Sequence, residues 1–128
     1  MSYYLSRTLP LPFDDAIIKI TATLKQEGFG ILTDIDVQAT LKAKLGADTP
    51  RYRILGACNP TFAHEALQLE DKLGVLLPCN VIIRDAGAGM VEVAAINPVS
   101  SMAQVGNPRL EALAGEVHTR LTQAIDAL

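Results

Sequence analysis

The chain contains no tryptophan, only 5% of its residues are aromatic, and it has just two cysteines, Cys58 and Cys79. The core of a 128-residue chain must therefore be assembled mainly from the Leu, Ile, Val and Ala of its 49% apolar content. Two cysteines make no disulfide framework, which points to a reducing compartment and a cytoplasmic protein. No apolar run approaches the roughly 20 residues that a membrane-spanning helix needs. The opening segment from Met1 to Thr8 lacks the apolar core of an export signal and carries a single basic residue, Arg7. Basic clusters are also missing. The formal charge is -3 at pH 7, and the densest cationic stretch, Arg51-Tyr52-Arg53, reads as the polar side of a strand. Nucleic acid, which is gripped through a Lys/Arg stripe on its phosphates, is not an expected partner, and neither is a membrane.

Helix and turn signals are plentiful instead. Ser2 to Thr8 reads as a strand, stopped by Pro10 and Pro12. From Phe13 the apolar residues Phe13, Ile17, Ile20 and Leu24 line one helix face, with Asp14 and Asp15 at the positive N-terminal end and Gly28 as the stop. Phe29 to Thr33 reads as a second strand. Asp34 or Asp36 then caps a short helix carrying Val37, Leu41 and Leu45, closed by Gly46. A strand from Arg51 to Ala57 places Tyr52, Ile54 and Gly56 on one face and Arg53, Leu55 and Ala57 on the other. Asn59-Pro60 is an asparagine cap followed by proline at the first helical position, opening a helix that reaches Leu69.

Val81 to Arg84 and Val91 to Ile96 form a hairpin about Gly87-Ala88-Gly89. Asn97-Pro98 breaks its second arm, and Ser100 to Gly106 reads as a loop. Asn107-Pro108 opens the last helix, whose stripe Leu110, Leu113, Ala114, Val117, Leu121, Ala124, Ile125 and Leu128 must lie on a sheet. One domain spanning residues 1–128 is expected, of α+β class, with a mainly antiparallel sheet and the long helices packed on one face. A bare second face would expose residues such as Leu55, Ile82 and Val93, so a partner subunit is expected there.

The concentrated chemistry lies between Cys58 and Asn80. Cys58 precedes the Asn59 cap, beside the free N–H groups and positive end of the next helix, a setting that favours a thiolate. A small buried residue ending a strand is the plainer reading of the same position. His64 falls off the stripe of Phe62, Ala63, Ala66 and Leu67, so it is free to face solvent, a partner or a ligand. Cys79 follows Pro78 at a strand start, which is also a core position. Together Cys58, His64 and Cys79 offer two sulfurs and an imidazole, a partial ligand set for zinc or another soft metal ion with an open coordination position. The same residues offer a nucleophilic cysteine with His64 as base, without a nucleophile signature around them. Gly28-Phe29-Gly30 and Gly87-Ala88-Gly89 lack the context of phosphate-binding loops and read as a helix stop and a hairpin turn.

Several segments are familiar as a set: Gly28-Phe29-Gly30, Asp34-Ile35-Asp36-Val37, Lys44-Leu45-Gly46, Tyr52 through Pro60, Ala63-His64, Gly74 through Asn80, and Asn97-Pro98. They closely resemble domain-of-unknown-function family 302 over almost the whole chain. The resemblance implies a TATA-binding-protein-like arrangement, a curved antiparallel sheet with helices on one side, often found as homodimers. It does not imply DNA binding, because fold is not function and the basic saddle is missing. It also marks Cys58, Asn59, Pro60, His64, Pro78, Cys79 and Asn80 as the recognisable residues.

Three functions compete on this reading. The first is a cytoplasmic homodimer that binds a small ligand or soft metal ion around Cys58, His64 and Cys79, with Asn59 and Asn80 orienting the site. The second is a thiol-based redox protein or cysteine-dependent enzyme, with Cys58 reactive and Cys79 resolving. The third is a structural homodimer module whose cysteines are core residues.

Overall fold

The two long apolar stripes become the two long helices, and between them the alternating segments pair into one sheet. The computed structural model describes residues 2–128. Its strands are β1 (Tyr4–Leu9), β2 (Gly30–Asp36), β3 (Tyr52–Cys58), β4 (Cys79–Gly87) and β5 (Met90–Ile96). Its helices are α1 (Phe13–Gln26), α2 (Val37–Leu45), α3 (Pro60–Leu69), α4 (Pro98–Met102) and α5 (Pro108–Asp126). The strands form a single sheet in the order β1-β5-β4-β3-β2, antiparallel at every pairing.

Strand side chains alternate between faces, so register decides what is buried. Leu55 on β3 stands opposite Val81 on β4, and Ile83 on β4 stands opposite Val93 on β5. All four point at the helices, where Ile20 and Leu24 of α1 and Leu121 of α5 are fully buried against the same core. Each such side chain contributes about 1.5–3 kcal/mol by leaving water. Ile82 alone among the residues expected on the open face lies there. Leu55 and Val93 have the opposite parity and are covered by helices, which corrects that part of the sequence reading.

The α5 stripe serves two cores. Val117, Leu121, Ala124 and Ile125 lie on the sheet, whereas Leu110, Leu113 and Ala114 pack with Ala66 of α3, Met102 of α4 and Leu73. Leu73 begins a 3₁₀ turn, Leu73–Leu76, that leads back to β4. The segment expected as a loop from Ser100 to Gly106 is instead α4 followed by a 3₁₀ turn over Ala103–Val105. Asn97 is the reason: its side chain accepts from the Val99 and Ser100 N–H groups, with Pro98 at the first helical position.

Asp36, not Asp34, caps α2 by accepting from the Ala39 N–H at 2.9 Å. Asp34 is occupied with Arg53 across the strand pair, and the guanidinium holds its carboxyl below the ordinary carboxylate range. Asp14 is likewise held down by Arg51, its partner at 2.7 Å. The apolar row on α2 is only partly covered: Val37 and Leu41 are half-buried, and Leu45 is 74% exposed.

Candidate functional site

The site begins where β3 ends and β4 begins. Cross-strand pairing sets Ala57 opposite Cys79, and on the other side Gly30 opposite Cys58, so both cysteines reach the same end of the sheet. The chain then turns through Asn59 into α3, and the Asn59 Oδ1 accepts the Phe62 N–H at 3.4 Å. Gly28 has a φ of 86°, and a Cβ there would stand 2.8 Å from Asn59 Nδ2. The Gly28-Phe29-Gly30 run is therefore more than a helix stop. Gly28 makes room for Asn59, Phe29 enters the site wall, and Gly30 leaves the flank of Cys58 open.

Between α3, α5 and this sheet end lies a cavity of about 330 Å³, near the lower end of the ~300–1,000 Å³ usual for small-molecule sites. α3 supplies Phe62, Ala63, Ala66 and Leu67, and α5 supplies Leu113, Ala114 and Val117. Phe29, Ala57 and Cys79 make the floor, with Cys58, Leu77, Pro78 and Met102 at the side. The space exists because Ala57, Ala63, Ala66 and Ala114 are small where three elements meet. Among the described residues no charged side chain lines it, and its polar side chains are the Asn59 amide and the two thiols.

The register slips between Ile31 and Thr33, leaving Leu32 as an extra residue. A bulge re-aims a side chain, and Leu32 accordingly turns to the cavity mouth, where it is 67% exposed. With Leu67 it makes an apolar lip.

Burial, with a smaller electrostatic contribution from Cys58, pushes the Cys79 thiol up to about 11. At neutral pH Cys79 is therefore a protonated thiol, and Cys58 is half-buried. The other residues singled out from the sequence lie elsewhere. His64 is exposed on α3, outside the cavity lining, with its Nε2 at 3.2 Å from the Gln68 amide nitrogen. It is one residue, about 100° around the helix, from Ala63, which does face in. Among the described residues no three His, Cys, Asp or Glu side chains gather to hold a metal ion, so Cys58, His64 and Cys79 do not form a three-ligand centre.

Asn80 follows Cys79 along β4 and therefore points to the opposite face. There it lines a second concavity of about 460 Å³ with Tyr3, Tyr4, Tyr52, Ile82 and the ion pair Arg84–Glu92. These are all three tyrosines of the chain. The structure thus unites Cys58, Asn59 and Cys79, and leaves His64 and Asn80 outside. Sequence reasoning missed Leu32, Met102 and the α5 wall. The α5 residues were visible as a stripe, but a stripe does not say which of its members border a hole.

No curated protein matches this chain. Its structure is similar to the crystal structure of an uncharacterised conserved DUF302 protein from Bacillus stearothermophilus, with a TM-score of 0.92 and 26% identity over 99% of this chain and 98% of that one. The family model described as "Domain of unknown function DUF302" matches residues 5–128. That span takes in the whole cavity wall from Phe29 to Val117 as well as the sheet beneath it, and the chain belongs to the DUF302 family.

Proposed function

We propose that this protein is a binding domain for a small, mainly apolar ligand held in the cavity between α3, α5 and the end of the sheet. The observation that carries this reading is a cavity with uncharged walls, an apolar lip at Leu32 and Leu67, and its few polar groups gathered at Cys58, Asn59 and Cys79. Such a site gains affinity from apolar surface leaving water, at about 25 cal/mol per Å², while a few polar groups fix orientation. A thiol enzyme with Cys58 reactive and Cys79 resolving is less well supported, because His64 is not in the cavity to act as a base and burial holds the resolving Cys79 as a protonated thiol. Free thiols in such a site suit a reducing compartment, and we infer a cytoplasmic location.

The test is ligand-observed NMR with indole as an apolar probe. Saturable binding is expected, with Ala63→Phe weakening it by about tenfold or more, because the new ring fills the space the probe needs. Filling a void leaves stability equal or higher when the new side chain fits. Unchanged indole binding in Ala63→Phe, or no saturable binding to the parent protein, would discard the reading.

We further infer that a second copy of the chain covers the open sheet face. Tyr3, Tyr4, Tyr52 and Ile82 gather there, and tyrosine is favoured in interface cores. Among the described residues the only charges lining the concavity, Arg84 and Glu92, are already paired at 2.6 Å, so the face can meet itself about a two-fold axis without net repulsion. Sedimentation equilibrium is expected to give a dimer, converted to monomer by Ile82→Glu. A parent protein that sediments as a monomer at high concentration would refute it.

A further inference from the structure

The ligand's own polar group can be inferred from what the cavity, taken as the binding site, leaves unpaired. We propose that this ligand is a neutral carbonyl compound, of the size of a small aromatic or cyclic ketone, whose oxygen accepts a hydrogen bond from the Asn59 side-chain amide.

Asn59 is one of three asparagines that cap a helix ahead of a proline, and it differs from the other two in one respect. At Asn97 and Asn107 the Oδ1 caps the helix while the Nδ2 donates to a backbone carbonyl, that of Ser2 at 3.0 Å and that of Leu69 at 3.3 Å. At Asn59 the Oδ1 accepts the Phe62 N–H, which fixes which end of the amide is oxygen. Its Nδ2 meets no acceptor among the described residues. Nor is that nitrogen sealed in, since the one buried side-chain nitrogen or oxygen left without a partner among those residues is Thr49 Oγ1. Room for the amide is kept by Gly28, where a Cβ would stand 2.8 Å from the Nδ2. A borderer of the cavity therefore carries an open N–H donor.

The other polar side chains add little that competes. Cys79, kept protonated by burial, is a weak S–H donor, and sulfur is a weak acceptor. The strong side-chain acceptor, Asn59 Oδ1, is already engaged by its cap. What the walls lack is an oxygen acceptor, and a carbonyl supplies one.

The same surroundings select against an anion. Among the described residues no charged side chain lines the cavity, and an unpaired carboxylate costs far more to bury than a ketone. The positive end of α3 is largely spent: Pro60 has no N–H, the Phe62 N–H goes to Asn59 Oδ1, and the Ala63 N–H goes to the Asn59 carbonyl at 2.9 Å. Arg120 lies over the Phe62 ring, 5.4 Å from its centroid, but does not itself border the cavity.

The experiment measures, by ligand-observed NMR on the full chain, the affinities of three probes of similar shape: acetophenone, ethylbenzene and benzoate. Asn59→Asp keeps an acceptor for the cap and loses the donor, and Asn59→Ala loses both. Each should weaken acetophenone by about fivefold, the worth of one net hydrogen bond, and leave ethylbenzene unchanged, which also reports that the cavity is intact. Benzoate should bind at least about tenfold more weakly than acetophenone. The infrared carbonyl stretch of bound acetophenone should lie at lower wavenumber in the parent than in either variant, a readout that a merely structural role for Asn59 would not move.

Acetophenone affinity that survives both replacements overturns the proposal. So does a loss shared equally by ethylbenzene, or benzoate binding tighter than the ketone. Ethylbenzene and indole binding without any dependence of the ketone on Asn59 removes the carbonyl assignment alone. If no probe binds the parent, the apolar-ligand reading fails and this inference with it.

Discussion

Replacing Gly56 with alanine is expected to destabilise the protein by about 1–3 kcal/mol, the usual cost of an overpacked position. Gly56 lies within β3, hydrogen-bonded on one side to β2 and on the other to β4, and its missing side chain would point to the open face. A Cβ there would press into Thr33 Oγ1 and stand 2.7 Å from Pro78 Cγ. The two obstacles differ in kind. Thr33 can turn about χ1 to move its oxygen, but the Pro78 ring is tied to the backbone one residue before Cys79 and cannot yield without moving the start of β4.

The effect should therefore reach the cavity floor. Urea denaturation should show a lower midpoint at constant slope, and indole affinity should fall as Cys79 and its neighbours shift. Adding Thr33→Ala to Gly56→Ala tests the division. It should restore only part of the lost stability, because the proline contact remains, and the two changes should be non-additive as befits touching residues. An unchanged midpoint in Gly56→Ala would show that the close approach of Pro78 is not a real constraint.

Gly56 also shows what could be read in advance. The sequence placed Tyr52, Ile54 and Gly56 on one strand face and Leu55 and Ala57 on the other, and the burial of Leu55 and Ala57 agrees. That succeeded because period-two alternation is a local property. The purpose of the glycine was not legible, since it depends on Thr33 and Pro78, which come from two other segments. The same division holds for the site. Cys58 and Asn59 were placed correctly because a strand end and a helix cap are written in consecutive residues.

His64 and Asn80 were grouped with the cysteines by closeness in sequence, yet a step of one residue turns a strand side chain to the other face and a helix side chain about 100° around. The cavity itself had no signal. Ala57, Ala63, Ala66 and Ala114 are unremarkable one at a time, and only their meeting from three elements makes a hole. Leu32 was hidden for a related reason, because a bulge breaks the alternation that strand reading relies on.

Three Asn-Pro pairs punctuate the chain, at Asn59, Asn97 and Asn107, and all three prove to be helix caps. Only the middle one was taken for a simple strand breaker, and it is the one expected to matter most. Asn97 is 3% exposed. Its Oδ1 accepts from the Val99 N–H at 3.1 Å and the Ser100 N–H at 3.4 Å, and its Nδ2 donates to the Ser2 carbonyl at 3.0 Å. Its own backbone N–H reaches the Tyr3 carbonyl at 2.8 Å. One side chain thus starts α4 and fastens the segment leading into β1.

Asn97→Ala should cost about 2–3 kcal/mol, adding the ~1 kcal/mol of a typical cap to the ~1–2 kcal/mol of a buried hydrogen bond and its stranded partner. Asn107 also caps with two acceptor contacts and donates to the Leu69 carbonyl at 3.3 Å, but from a half-buried position. Asn59 makes one cap contact at 3.4 Å. Urea denaturation of the three alanine variants should therefore rank the losses Asn97, then Asn107, then Asn59. Asn97→Ser, which keeps an acceptor for the cap but cannot reach the Ser2 carbonyl, should recover roughly half of the loss. Because Met102 at the end of α4 borders the cavity, Asn97→Ala should also weaken indole binding, whereas Asn107→Ala should affect stability more than binding. Equal losses at the three positions would mean that the buried bond to Ser2 contributes nothing beyond an ordinary cap.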